Sequence, residues 1–211
     1  MCHSVVKKYV TIMKRFVILF VALCLPLALF AQQEGDAWLK DLDTTLGSRF
    51  AMEVEVNVAE EPIMGYFMVD GDGYYISLGI MEVYSDGKVR YEINNERKEV
   101  TEDRVDLTSC DLLTNPTRAF DFLGDEFSSE VLSSSATEAV VRLIPSSEEL
   151  GISAIEIHLV RKGAAVEPKS VVYDYDGESV VITTSLLDCG DRKLPKWDKN
   201  AYRAYDIVSF L

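Results

Sequence analysis

Over most of its length the chain repeats with a period of two. Phe50, Met52, Val54 and Val56 alternate with Ala51, Glu53, Glu55 and Asn57, and Val89, Tyr91 and Ile93 alternate with Lys88, Arg90, Glu92 and Asn94. Ile155, Ile157 and Leu159 alternate with Glu156 and His158. Successive strand side chains point to opposite faces, so each run is a strand with one wet face, and a helix could not use the pattern. Asp70-Gly71-Asp72-Gly73, Asp86-Gly87 and Asp176-Gly177 separate such runs. Asp-Gly pairs supply the positive φ of tight hairpins, so the flanking strands are expected to be sequential and antiparallel. Further strands are expected over 62–69, 73–78, 81–84, 97–102, 127–133, 138–144, 168–175 and 179–186. About eleven short strands at this spacing predict a mainly β chain with a sandwich or barrel architecture.

Helix is expected in two places. Gly35 to Leu46 carries Trp38, Leu39, Leu42 and Leu46 at helical spacing and stops at Gly47. Ser109 to Gly124 holds Leu112, Leu113, Phe120 and Phe122 in short apolar pieces broken by Asn115-Pro116, which predicts one or two short helices lying across the sheet.

The N-terminal segment has a different composition. Lys14 and Arg15 precede an apolar run from Phe16 to Ala31, interrupted only by Pro26 and followed by Gln32-Gln33-Glu34. A basic flank, an apolar stretch too short for a typical spanning helix and a small residue at the boundary predict a cleaved signal peptide over 1–31, with an uncleaved anchor as the alternative. Met13, directly before Lys14, is the expected true start. The remainder, 32–211, is expected to form one domain in the periplasm. It holds 17 basic and 35 acidic side chains, net −18. That balance argues against a nucleic-acid partner, since phosphate recognition needs a basic face. Cys110 and Cys189 are the two cysteines of this part. They can close one disulfide or remain two thiols, and their spacing decides neither.

Catalytic chemistry has little to stand on. His158 is the one histidine after residue 31, and its alternation places it on the wet face of a strand. No G-x-S-x-G elbow, P-loop, G-x-G-x-x-G or C-x-x-C is present, and one imidazole cannot build a histidine-rich metal site. Asp174-x-Asp176-Gly177 lacks the distal glutamate of a calcium loop and is expected to be a hairpin turn. A non-enzyme without metal or cofactor is expected.

One stretch is apolar on both parities: Met64, Tyr66 and Met68 on one, Ile63, Phe67 and Val69 on the other, with Tyr74, Tyr75, Ile76 and Leu78 following. A curved wall that packs on one side and lines a cavity on the other needs such strands. All four methionines after residue 31, Met52, Met64, Met68 and Met81, fall in this region, and thioethers suit surfaces that accept variable apolar ligands. They fill an irregular core equally well.

The strand Gly65-Tyr66-Phe67-Met68-Val69, the hairpin around Asp70 to Tyr75 and the turn Glu82 to Lys88 with Tyr91 after it resemble the periplasmic outer-membrane lipoprotein carrier family, in its LolA-like branch. Glu99-Val100-Thr101, Leu112-Leu113-Thr114-Asn115-Pro116 and Tyr205-Asp206-Ile207-Val208 continue the likeness, the last resembling that branch's closing strand. The resemblance implies a curved, incomplete antiparallel β-barrel with an N-terminal helix and a short helical lid. It implies a soluble carrier that shields the acyl chains of lipoproteins, or other lipid, between an inner-membrane releasing complex and an outer-membrane acceptor. Cavity candidates are then Met52, Val54, Met64, Tyr66, Met68, Tyr91 and Ile93, and lid candidates Leu112, Leu113, Phe120 and Phe122, in a monomeric protein. No arginine occupies 50–56, so no lid-locking residue carries over. The alternative is an envelope protein of the same fold that binds a polypeptide or acts structurally. Protein recovered from its own envelope is predicted to give an intact mass that begins at Gln32; a mass retaining 14–31 would identify the uncleaved anchor.

Overall fold

The computed structural model describes residues 33–57, 61–147, 150–175 and 177–211. The segment read as a signal peptide lies outside the described residues. One helix, α1 (33–46), precedes the strands β1 (Arg49–Asn57), β2 (Ile63–Asp70), β3 (Gly73–Leu78), β4 (Met81–Ser85), β5 (Val89–Asn94) and β6 (Glu99–Arg104). Then come β7 (Phe127–Ser134), β8 (Glu138–Pro145), β9 (Ala154–Lys162), β10 (Ala165–Tyr175), β11 (Glu178–Leu187) and β12 (Asp206–Ser209). All belong to one curved, unclosed sheet in the order β12-β6-β5-β4-β3-β2-β1-β11-β10-β9-β8-β7, consistent with an incomplete barrel.

The order follows from two hairpin meanders, β1 to β6 and β7 to β11, whose first and last strands meet. β1 pairs antiparallel with β2 (Met52 opposite Phe67) and with β11 (Met52 opposite Leu186). Asp-Gly turns do the local work expected of them: Gly71, Gly87 and Gly177 all have positive φ. At Gly87 (φ 88°) an added Cβ would also lie 2.9 Å from the Asp72 carbonyl oxygen, so glycine is required twice over. The twelfth strand carries too few residues for its alternation to stand out, and it pairs parallel to β6 through Ile207 opposite Val100.

Parity assigns the faces. The inner face carries Phe50, Met52, Val54 and Val56 of β1, Phe67 and Val69 of β2, Tyr74 and Ile76 of β3, and Val141, Leu143, Ile155, Ile157, Leu159, Val171, Tyr173 and Ile182 of the second meander. Trp38, Leu39, Leu42 and Leu46 of α1 pack against them. Arg161 fixes the helix over the second meander, its guanidinium 4.4 Å from the Trp38 ring and 2.8 Å from the Asp41 carboxylate. Thr45 Oγ1 accepts the Val166 amide at 2.9 Å.

Two segments without strand or helix join the parts. Residues 105–126 cross the inner face from β6 to β7, and residues 188–205 cross the outer face from β11 to β12. The inner crossing is a chain of turns where short helices were expected. Asn115 N–H reaches the Asp111 carbonyl at 2.8 Å, but Pro116 has no N–H to extend the ladder, and only the single turns Asn115 to Arg118 and Arg118 to Asp121 follow. The outer crossing covers the second parity of β2 to β6, where Met68, Ile93 and Val100 are fully buried. Gly73 lets it pass: a Cβ there would lie 2.9 Å from Leu194 Cδ2.

Gly65 sits opposite Val54 and Leu78 on the inner face, and a Cβ there would meet the Ser77 carbonyl oxygen at 2.9 Å. Gly65→Ala is therefore predicted to destabilise the fold by about 1–3 kcal/mol through overpacking, read as a lower urea midpoint at unchanged slope.

Candidate ligand-binding site

The candidate site is the interior between the inner face and the cover made of α1 and residues 105–126. Its walls are apolar because the even-numbered residues of β1 and their cross-strand partners are apolar apart from Thr184, whose hydroxyl is taken up by the Pro168 carbonyl at 2.7 Å. Leu42, Met52, Phe67, Leu112, Ile155 and Ile157 are buried to 2% or less. On the cover, Phe120 stands edge-on to Phe50 (6.1 Å between centroids) and to Phe122, which in turn meets Phe127 at 5.5 Å.

What holds the cover is polar and local. Asp111 uses one carboxylate oxygen to accept the amides of Leu113 (2.7 Å) and Thr114 (3.1 Å), which fixes the turn, and the other accepts the Tyr175 hydroxyl. The Tyr173 hydroxyl lies between two backbone groups of the cover: it accepts the Leu112 amide at 3.0 Å and donates to the Cys110 carbonyl at 3.3 Å. From the other meander, Tyr74 donates to the Thr114 carbonyl at 3.2 Å. Arg118 braces the stem, donating to the Leu107 carbonyl at 2.6 Å and to Glu126 at 2.5 Å. Three phenols from β3 and β10 therefore fasten residues 110–114 to both halves of the sheet.

The electrostatics follow burial. Burial pushes the Tyr173 phenol well above its ordinary value, and burial together with the bond to Asp111 does the same for Tyr175. Burial also raises Tyr74 and pushes the Cys110 thiol up to about 11. Cys110 and Cys189 are both free thiols, the first buried within the cover and the second half-buried where the outer crossing begins. Clefts flank the cover: one of about 450 Å³ lined by Leu107, Arg118, Glu126 and Leu150, another of about 300 Å³ lined by Asp106, Cys110, Asp111, Ile152 and Tyr175.

The structure divides the residues singled out for the cavity. Met52 and Val54 line the inner face, and Leu112, Phe120 and Phe122 of the cover pack with them, with Leu113 half-buried beside them. Met64, Tyr66, Met68, Tyr91 and Ile93 have the opposite parity and face outward. Met64 is exposed, Met68 and Ile93 are buried beneath the outer crossing, and the Tyr91 ring stacks on Trp197 at 4.5 Å. Sequence reasoning passed over Tyr74, Tyr173 and Tyr175 as fasteners and Asp111 as their acceptor. The one available signal was a tyrosine at an apolar strand position, Tyr173, whose hydroxyl must find a partner when buried.

The outer crossing has its own anchor. One Glu82 oxygen accepts the hydroxyls of Tyr84 (2.9 Å), Tyr202 (3.1 Å) and Tyr75 (3.3 Å), and the other accepts Asn95 Nδ2 at 2.8 Å. Burial alone would raise this carboxyl, but the four hydrogen bonds outweigh it and hold it below the usual range. Trp197 lies between Tyr91 and Tyr202, 4.5 and 4.9 Å away, and Arg49 donates to the Gly190 and Arg192 carbonyls.

No protein-family model and no curated protein matches the chain. Solved structures do. An uncharacterized conserved protein from Thermus thermophilus aligns with a TM-score of 0.52 at 8% identity, over 82% of this chain and 97% of that one. A putative outer membrane lipoprotein-sorting protein domain from Vibrio parahaemolyticus aligns with a TM-score of 0.46 at 11% identity, over 82% and 99%. A LolA superfamily protein from Nitrosomonas europaea gives 0.40 at 10% identity, over 80% and 96%. The likeness is one of fold. At 8% identity the Thermus thermophilus protein shows a shared fold and transfers no residue's role.

Raised phenol pKa values make stability depend on alkaline pH. Unfolded tyrosines ionise near pH 10, whereas Tyr173 and Tyr175 stay protonated above that in the folded chain. Their contribution is complete below about pH 10 and lost as pH rises past it. Urea midpoints are predicted to fall gently above about pH 8.5, where the thiol of Cys110 ionises in the unfolded chain but not in the folded one, and steeply above about pH 10, the steep part being reduced in Tyr175→Phe.

Proposed function

We propose that the protein is an exported periplasmic carrier that takes the acyl chains of a lipoprotein, or of another lipid, into the interior between sheet and cover. The observation that carries this reading is that a continuous apolar inner face is closed on one side by a segment with no regular secondary structure. That segment is held to the sheet by four hydrogen bonds from three phenols and by burial of Leu112, Phe120 and Phe122, and it is flanked by two clefts. Net hydrogen bonds are worth about 0.5–1.5 kcal/mol each, so breaking the four costs only a few kcal/mol, and the apolar surface uncovered when Leu112 leaves the inner face is covered again by the guest. Burying acyl chain returns about 0.8 kcal/mol per methylene. Displacement of the cover by a long chain is therefore favourable, and its return favours release.

No covalent step is needed. Among the described residues no cluster of three or more His, Cys, Asp or Glu could hold a metal ion, and no helix is long and apolar enough to cross a membrane. A second reading, an envelope protein with a permanently closed interior, has in its favour the complete burial of Leu42, Met52, Ile155 and Ile157.

The two readings part on one measurement. A carrier is predicted to bind a dansyl-labelled long-chain fatty acid saturably, with Asp111→Ala raising the association rate several-fold by freeing the Tyr175 hydroxyl and the 113–114 amides. Absence of saturable binding by both the native protein and Asp111→Ala would overturn the carrier reading and leave the closed interior.

A further inference from the structure

The two clefts beside the cover share Thr108 and Leu150 in their linings. A chain that displaced residues 110–114 would leave the interior there, past Leu150 and past Leu107, which is 66% exposed at the larger cleft. The polar end of such a guest has no place on the apolar inner face, where its hydrogen bonds would go unmade. It would come to rest in these clefts.

Four charged side chains line them. Asp106 accepts the Thr108 hydroxyl at 2.6 Å and the amides of Thr108 and Ser109 at 2.8 and 3.3 Å. Those bonds hold its carboxyl below the usual range. Asp111 lines the same cleft and Glu126 the other. Arg118 is the one base among the described residues of both linings. Its guanidinium is already matched: it donates to the Leu107 and Thr108 carbonyls at 2.6 and 3.3 Å and to Glu126 at 2.5 Å, and its Nε lies 4.0 Å from the Asp121 carboxylate. Cys110 and Tyr175, raised by burial, stay neutral. The hydroxyls of Thr108 and Ser146 spend their protons on Asp106 and on the Asp125 carbonyl, so their oxygens face the clefts as acceptors.

We infer that the clefts select the guest by the charge of its polar end. The protein takes acyl chains joined to an uncharged group that donates hydrogen bonds, a glyceryl hydroxyl or a peptide amide, and disfavours the free acid of the same chain. The inference rests on the carrier reading and adds to it the chemical class of the guest. An anionic end would lie among Asp106, Asp111 and Glu126 with no unmatched cation, in a domain of net −18. Selectivity of this kind comes from repulsion of the wrong ligand as much as from attraction of the right one. An uncharged donor meets carboxylate and hydroxyl oxygens ready to accept.

The test compares three ligands with one acyl chain: the free acid, its glycerol monoester and its amide on a short uncharged peptide. Each displaces a pyrene-labelled monoacylglycerol from the purified protein at neutral pH. At about 0.01 M salt the acid is expected to bind about tenfold more weakly than the tighter neutral ligand, and the gap is expected to close toward twofold at about 1 M, as the screening length falls from about 30 Å to about 3 Å. The tighter neutral ligand identifies the source of the chain, glycerolipid or acylated polypeptide. Asp106→Asn combined with Glu126→Gln keeps oxygens that accept from Thr108, Ser109 and Arg118 while removing two charges. It is expected to narrow the low-salt ratio of neutral ligand to acid several-fold. A variant that merely loosened the cover would shift all three ligands alike and leave that ratio unmoved. An acid that binds as tightly as both neutral ligands at low salt, or a ratio unmoved in the double variant, would overturn the inference and leave the carrier reading standing. Saturable binding by none of the ligands would overturn the carrier reading and the inference with it.

Discussion

The architecture depends on β1 having partners on both sides. β1 and β11 are 121 residues apart at their nearest ends, yet their pairing, Ala51 opposite Leu187 through Asn57 opposite Val181, makes one sheet of two meanders. The entropy of closing so long a loop grows only slowly with length, and β1 offsets it with ladders on both edges and Phe50, Met52, Val54 and Val56 buried on one face. Gly47, at φ 57° and with its amide bonded to the Asp43 carbonyl at 2.8 Å, turns α1 directly into this strand. The helix is thereby delivered to the face that needs covering.

Once the meanders are joined, each must be linked to the next element across the sheet, and the chain uses both faces. The inner crossing is fastened by phenols donating to or accepting from backbone and to one carboxylate. The outer crossing is fastened by the Trp197 stack, the four bonds to Glu82 and the Arg49 guanidinium. These fastenings differ in kind. Stacked aromatic rings over buried Met68 and Ile93 remove apolar area from water, a loss that nothing on that face would offset. In the carrier reading the inner bonds would give way at modest cost when an apolar guest takes the place of Leu112 and Phe120. The difference in fastening follows from which residues lie on which crossing.

Period and turns made the strands legible. The runs from Phe50, Val89 and Ile155 and the Asp-Gly hairpins lie where alternation puts them, because a half-buried strand must alternate and a tight hairpin must have positive φ. The choice of face was not legible where both parities are apolar. In β2, Met68 and Phe67 are both fully buried, one under the outer crossing and one under α1 and the inner crossing. Only pairing with β1 tells them apart, and pairing is not a local property. For the same reason the methionines and tyrosines read as one cavity wall fall on two faces. The turns of 105–126 were obscured because Leu112, Leu113, Phe120 and Phe122 give a helix-like pattern whose amide ladder Pro116 interrupts. Asp111 was hidden among 35 acidic residues, since only the fold brings Tyr175 to it.

The carrier reading and the open sheet require each other. A fully closed barrel has no edges, and its walls are fixed by hydrogen bonds all round, so its interior volume is set. In the carrier reading, leaving β7 and β12 unpaired would keep the circumference adjustable, but it exposes two rows of backbone donors and acceptors. β7 meets that hazard with a bulge, serines and the start of α1. β12 meets it by being only four residues long.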